Sequence, residues 1–160
     1  MNPLVNEIMP LVSQGYCCSQ VLMLLLMQKF GHENPEIIRA MHGLCYGIGN
    51  SEGPCGLLSG GACVLGYIAG RGKVQESAHP SFVPLATDYQ QWFAGRSANY
   101  GGTACFQIME GLSAETGTPR PRAGEQPSPC LCGGLFIECW EKIHMLFGEY
   151  KISIEPRHSI

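Results

Sequence analysis

With 160 residues, the chain is long enough for one domain with a full hydrophobic core, and 45% of its residues are hydrophobic, which excludes bulk disorder. Its formal net charge is −3 and no stripe of lysine and arginine runs through it, which argues against nucleic acid as a partner. Only 14% of the residues are charged, against roughly 25% in an average chain. The surface is therefore expected to be polar without charge, or to be partly covered by another subunit, as in a homodimer.

The first part of the chain predicts two helices. An apolar stripe that begins at Leu4 predicts a helix that ends at Gly15. The next helix is predicted to begin near Cys17–Ser19 and to run to Phe30. Because this second helix is apolar almost all round, we expect it in the centre of the domain.

A third helix is predicted to begin at Asn34–Pro35, since asparagine caps helices well and proline suits the first helical position. Its apolar stripe continues to Ile48. A fourth helix is predicted from Cys55, within the stretch Gly53–Gly70. This stretch carries no charge over 18 residues, the lower limit of a membrane-spanning length. Because it contains six glycines, we interpret it as a buried, closely packed helix and expect no membrane span.

The second half predicts three more helical segments: Leu85–Ala94, Ala104 to about Met109, and a final helix from about Cys132 to Phe147. Residues 111–129 contain four prolines and few large apolar side chains, which predicts a long surface loop. No segment has the period of a strand. The patterns together predict an all-α fold, a single-domain helical bundle of about five to seven helices over residues 1–150, with a loosely held tail over residues 151–160.

The nine cysteines indicate the environment of the protein. Their odd number cannot pair completely within one chain. The first ten residues lack the basic region and the long apolar region of a secretory signal. We therefore expect a reducing, cytoplasmic compartment, where clustered cysteines serve metal or redox chemistry more often than structural disulfides.

Four cysteines follow glycine or proline and are each predicted to lie in the first turn of a helix: Cys18, Cys55, Cys105 and Cys132. Free N–H groups and the helix dipole favour a thiolate there, and a lowered thiol pKa makes sulfur a better metal ligand and a readier redox group. Four converging helix starts would aim four sulfurs at one point. The gaps of 37, 50 and 27 residues match neither a ferredoxin nor a zinc ribbon. Spacing alone therefore leaves open that these cysteines are only small buried hydrophobic residues.

The residues around these cysteines resemble a known family. The run Gly15–Leu22 is similar to the opening N-C-A-Q-A-V-L motif of that family, and Cys55–Gly60 is similar to its Cys-Gly-Ala-x-x-Gly helix start, with Leu57 in place of alanine. Cys105 resembles the third cysteine of the family, and Cys132–Ile137 resembles its closing helix. The likeness extends through nearly the whole chain, and the family is the C_GCAxxG_C_C family of redox-active proteins with four characteristic cysteines.

This resemblance implies electron transfer or redox sensing together with a redox partner protein, and it leaves open whether the protein is an enzyme. Similar domains accompany multihaem cytochromes of the split-Soret type, where a four-cysteine site implies an iron–sulfur cluster. One alternative is a metal-free protein whose four thiols cycle through disulfides, and another is a structural or binding module stabilised by zinc. Cys17 and Cys130 are rival candidates for the first and last positions of the site.

The other candidates are interpreted as structural. Cys45, Cys63 and Cys139 are expected to pack in the core, and Cys17 is expected to be a spare or resolving thiol when the site does not use it. The five histidines show no metal-ligand spacing. Asp88 is the only aspartate, and the chain offers no obvious carboxylate pair for glycosidase or aspartic-protease chemistry.

Overall fold

The computed structural model of the chain describes residues 2–122, 125 and 129–155, and for residues 129 and 130 it describes the backbone alone. Within these ranges the fold is built from α-helices and one 3-10 turn (Ala98–Tyr100), without a strand. The helices are α1 (Leu4–Ser13), α2 (Cys18–Lys29), α3 (Pro35–His42), α4 (Cys45–Ile48), α5 (Gly56–Ala69), α6 (Phe82–Ser97), α7 (Cys105–Thr116) and α8 (Pro129–Glu149). The all-α class is confirmed, with eight helices in the described residues where five to seven were predicted.

Helix α2 lies at the centre of the bundle, as its apolar sequence predicted. Eight of its twelve residues are buried, and it packs against α1, α3, α4 and α5. Its contact with α5 depends on a glycine, because a Cβ added at Gly60 would lie only 2.8 Å from the Cα of Ser19. The bare backbone of Gly60 therefore lets the two helices approach more closely than a side chain would allow.

Helix α8 joins the two halves of the bundle. It is 21 residues long and packs against α1, α5, α6 and α7. Its buried face includes Leu135, Ile143 and Phe147, and α6 adds the fully buried Tyr89 and Phe93. The core is therefore continuous from the N-terminal helix to the last one.

The third helix was predicted to run to Ile48, and this prediction is wrong. Asn34 caps its start as expected, because its side chain accepts a hydrogen bond from a backbone N–H three residues on (3.2 Å). The helix stops at His42, and the chain then forms the single turn α4, in which Tyr46, Gly47 and Ile48 have φ angles of 54°, 59° and 60°. The periodicity of the sequence missed this left-handed turn because apolar residues continue through it.

Two helices of the second half are longer than predicted. Helix α6 begins three residues earlier and ends three residues later than the predicted 85–94. Helix α7 continues to Thr116 instead of ending near residue 109, because Leu112 is buried and adds another turn to the core. Gly117 then ends α7 with a φ of 70°.

The predicted loop over residues 111–129 is therefore shorter than expected. Residues 117–122 have no regular structure, and α8 begins at Pro129 instead of near Cys132. Residues 123, 124 and 126–128 of the predicted loop lie outside the described residues.

The uncharged stretch Gly53–Gly70 forms α5 inside the bundle, which confirms the prediction of a buried helix. Among the described residues, no helix combines the length and the apolar character needed to cross a membrane. Past α8, the N–H of Ile152 donates to the Phe147 carbonyl (2.9 Å), and Ile152 and Ile154 pack against the core. Residues 156–160 of the predicted tail lie outside the described residues.

Candidate functional site

The four cysteines singled out in the sequence all lie at helix starts. Cys18 and Cys105 are the first residues of α2 and α7, Cys55 directly precedes α5, and Cys132 is the fourth residue of α8. Four different helices therefore carry them, and the packing of those helices decides whether the sulfurs meet.

Backbone hydrogen bonds tie the starts of α5 and α7 together. The N–H of Cys55 donates to the Thr103 carbonyl (2.8 Å), and the N–H of Cys105 donates to the Gly53 carbonyl (2.9 Å). The residues before the two cysteines, Pro54 and Ala104, pair as an isolated antiparallel bridge. Cys55 and Cys105 are thus fixed side by side.

Cys18 also lies beside Cys55, because a glycine at the start of α5 leaves room for its sulfur. A Cβ added at Gly56 would lie 2.6 Å from the Sγ of Cys18, so the sulfur rests against bare helix backbone one residue after Cys55. Gly56 and Gly60 are four residues apart and lie on one face of α5. Both glycines of the Cys-Gly-x-x-x-Gly motif therefore contact the first turn of α2, where Cys18 and Ser19 lie.

Two glutamines hold the starts of α2 and α7 in the same manner. The N–H of Cys17 donates to Gln20 (3.2 Å), and the N–H of Ala104 donates to Gln107 (3.2 Å), so each glutamine caps its own helix. Gln20 also donates to the Ile38 carbonyl (3.1 Å), which links α2 to α3. Gln20 is visible in the sequence only as the glutamine of the run that resembles the N-C-A-Q-A-V-L motif, and Gln107 was missed. The repeated Cys-x-Gln spacing was the available signal.

The four cysteines line a single cavity with a volume of about 80 Å³. Its wall also contains Ile8, Val12, Tyr16, Cys17, Val21, Tyr46, Leu57, Ile108, Met109, Gly133 and Phe136. Among the described residues, no aspartate, glutamate, histidine, lysine or arginine contributes to this wall. Cys55 and Cys105 are buried, whereas Cys18 and Cys132 are partly exposed.

Burial reverses the expected effect of the helix starts on the thiols. It raises the pKa of all four, that of Cys132 to about 12. The prediction of lowered pKa values is therefore wrong, because the loss of solvation outweighs the helix dipole. Negative charge on Cys132 and Cys105 would raise the pKa of Cys18 further, which shows how close these groups are. All four are neutral thiols at neutral pH, and all four can be thiolates together only beside a positive group.

The donor set fits a sulfur-ligated group in chemical type. Four cysteines in an apolar wall are the ligands that iron–sulfur clusters use. In the part of the chain that the structure describes, however, no three Cys, His, Asp or Glu side chains form a group placed to hold a metal ion. The four cysteines line the wall of one cavity, and their binding of a shared group stays a prediction. The side chain of the rival candidate Cys130 lies outside the described residues.

Two other predictions about cysteines need correction. Cys45, expected to be an ordinary core residue, forms a disulfide with Cys17, which was expected to be a free thiol or a rival ligand. The pairing depends on how the turn after α3 meets the start of α2, and helical periodicity carries no information on that. Cys63, also expected in the core, is exposed on α5, whereas Cys139 is fully buried as predicted.

Cys139 is expected to make the stability of the reduced, metal-free protein depend on alkaline pH. Burial raises its pKa from 9.0 to about 12, and a hydrogen bond with Tyr89 lowers it to a smaller extent. The folded state therefore keeps a proton that the unfolded chain loses above pH 9. This stabilisation is complete below pH 9 and falls by up to about 4 kcal/mol as the pH approaches 12.

Urea unfolding across that pH range measures this effect. Cys139→Ala should lower stability at every pH but flatten its decline above pH 9, because one titrating group is gone. Equal slopes in the two proteins would show that Cys139 does not retain its proton.

Fold and cavity define the class: an all-helical protein in which four cysteines, each at the start of a different helix, surround one apolar cavity. The family model described as "Putative redox-active protein (C_GCAxxG_C_C)" matches residues 16–146, and the chain belongs to this family. The resemblance found in the sequence is thereby confirmed. No curated protein and no solved structure matches the chain.

Proposed function

We propose that Cys18, Cys55, Cys105 and Cys132 hold an iron–sulfur cluster and that the protein transfers single electrons to a redox partner. One observation carries this proposal: four cysteines from four helices line the same apolar cavity. Scattered core cysteines would have no reason to lie at four helix starts that face a common space.

The chemistry of the wall supports a sulfur-ligated group over ions that require oxygen ligands. Thiolates are the ligands of iron–sulfur clusters, whereas magnesium and calcium require oxygen ligands, and no carboxylate lines this cavity in the described residues. When bound, such a cluster takes up and releases one electron at a time. Cys18, Cys55, Cys105 and Cys132 would ionise together beside the positive charge of bound iron.

The residues of this chain would have separate tasks around that group. Leu57 and Val21 are fully buried in the wall and exclude water from the inner side of the cavity. Cys18 and Cys132 are partly exposed and mark the side on which a partner protein could approach most closely. We therefore place the surface for electron exchange around these two residues.

Metal analysis of protein purified without oxygen tests this proposal. We expect iron and inorganic sulfide in proportion to protein, together with broad visible absorption. Cys55→Ser should abolish both, because Cys55 is buried in the wall of the cavity. Cys63→Ser is the matched control, since Cys63 lies two turns further along α5, is exposed, and should retain iron and colour.

Two other results would each contradict the proposal in a different way. Zinc in proportion to protein, without colour, would indicate a structural or binding module. A protein free of metal, with thiols that disappear in pairs on oxidation, would indicate a dithiol protein.

A further inference from the structure

A second group of sulfur atoms lies beside the cavity. Cys17 and Cys45 form a disulfide with their Cα atoms 5.9 Å apart, and both residues are buried. Cys17 lines the cavity and precedes Cys18 in the chain, whereas Cys45 is not part of the wall. We propose that Cys17 and Cys45 form a second redox site, a reversible dithiol–disulfide pair that exchanges two electrons with a dithiol reductant independently of the four-cysteine site.

The surroundings of this pair are suited to the reduced state as well as to the disulfide. The hydroxyl of Ser19 lies 3.2 Å from the Sγ of Cys17 and 3.6 Å from the Sγ of Cys45. It donates its single proton to the Met41 carbonyl (2.9 Å), which leaves the two lone pairs of its oxygen available to accept hydrogen bonds. A disulfide has no proton to offer these lone pairs, but two thiols have one each.

Reduction would therefore leave no buried donor without a partner. Each new S–H group can donate to the Ser19 oxygen, while the bond from Ser19 to Met41 stays in place. The hydroxyl of Ser19 within reach of both sulfurs therefore supports a pair whose dithiol form is also accommodated in the folded protein.

Cys17 is among the residues that line the cavity and Cys45 is not, so we expect the reductant to attack Cys17. A thiolate of the reductant attacks the Sγ of Cys17, which forms a mixed disulfide and breaks the bond to Cys45, whose sulfur takes up a proton. The second thiol of the reductant then attacks the reductant's first sulfur, which is bonded to Cys17 in the mixed disulfide. The bond to Cys17 breaks, the reductant leaves as a cyclic disulfide, and the sulfur of Cys17 takes up a proton. Two electrons and two protons pass in total from the dithiol to Cys17 and Cys45.

A redox titration of the complete, folded protein tests this proposal. The protein is equilibrated with reduced and oxidised dithiothreitol in defined ratios and quenched with acid. Free and oxidised thiols are then alkylated with different reagents, and mass spectrometry of the peptides reports Cys17 and Cys45 separately from the other cysteines. We expect both residues to change together in one reversible two-electron step while circular dichroism shows the protein still folded.

Two serine variants separate the role of Ser19 from general destabilisation. Ser19→Ala should favour the disulfide about tenfold, a shift of about 30 mV, because the thiols lose their acceptor. Ser97→Ala is the matched control: Ser97 is fully buried and also donates to a backbone carbonyl, that of Phe93 (2.9 Å), but lies on α6 away from both sulfurs. Ser97→Ala should leave the midpoint potential of the Cys17–Cys45 pair unchanged.

The proposal is overturned if the pair is reduced only in denaturant, or if Ser19→Ala and Ser97→Ala have the same midpoint as the wild type. Should Ser19→Ala fail to fold, the wild-type titration still decides between a reversible and a structural disulfide. Repeating the titration on Cys55→Ser separates this proposal from the cluster proposal, because the two-electron step should persist when the four-cysteine site is broken.

Discussion

Gly60→Ala is expected to destabilise the protein by about 2–3 kcal/mol, the upper range for adding one methyl group to a packed core. The new Cβ would lie 2.8 Å from the Cα and 2.9 Å from the Cβ of Ser19. Neither atom is at the end of a flexible side chain, so α2 and α5 must move apart. That movement would also draw Cys18 away from Cys55, because both are anchored at the ends of these helices.

Urea denaturation, monitored by circular dichroism, measures the loss of stability. The control is Gly66→Ala. Gly66 lies on the same helix, but a Cβ there would meet only the ring of Phe82 at 4.0 Å. Alanine forms helices better than glycine by up to about 1 kcal/mol, so Gly66→Ala should be neutral or stabilising. If both variants were equally stable, close packing of α2 on α5 would not depend on Gly60.

Gly47→Ala is expected to cost about 3 kcal/mol and to displace Cys105 from the cavity. Gly47 has a φ of 59°, which alanine adopts at a cost of about 1 kcal/mol. Its Cβ would also lie 2.6 Å from the Gly53 carbonyl oxygen and 2.7 Å from the Cβ of Cys105, and this overpacking adds roughly 1–3 kcal/mol. Gly53 receives the N–H of Cys105, so the two clashes act on the same wall of the site.

The variant Gly31→Ala separates the cost of the positive φ from the cost of overpacking. Gly31 has nearly the same φ, 62°, but nothing within 4 Å of an added Cβ, so only the backbone cost of about 1 kcal/mol applies. Thermal or urea unfolding of both variants gives the difference. An equal loss of stability in the two variants would mean that the turn at residues 46–48 shifts to accommodate the new methyl group without displacing Cys105.

The sequence predicted those features of the fold that depend on local chemistry. The central position of α2 followed from its uniformly apolar residues, and the start of α3 followed from Asn34 and Pro35. Glycine and proline before Cys18, Cys55 and Cys105 indicated that each lies at a helix start. The resemblance to the family selected the same four cysteines from the nine, and the structure brings all four to one cavity.

Features that arise from the packing of distant segments were missed. The left-handed turn contains Tyr46 and Ile48, residue types that rarely adopt a positive φ. The conformational preferences of these residues therefore do not predict the turn. Cys45, which pairs with Cys17, lies directly before that turn. The thiol pKa values were predicted in the wrong direction, because the helix dipole can be inferred from a sequence whereas the extent of burial cannot.

The four cysteines of the cavity are distributed along most of the chain, from Cys18 on α2 to Cys132 on α8. The gaps between them are 37, 50 and 27 residues. During synthesis, α2 leaves the ribosome before α3, α4 and α5, which cover its apolar residues together with α1, have been made. The cavity is complete only when nearly the whole polypeptide has emerged. A truncated product that ends before α8 therefore has an open core and a cavity that lacks one of its four cysteines.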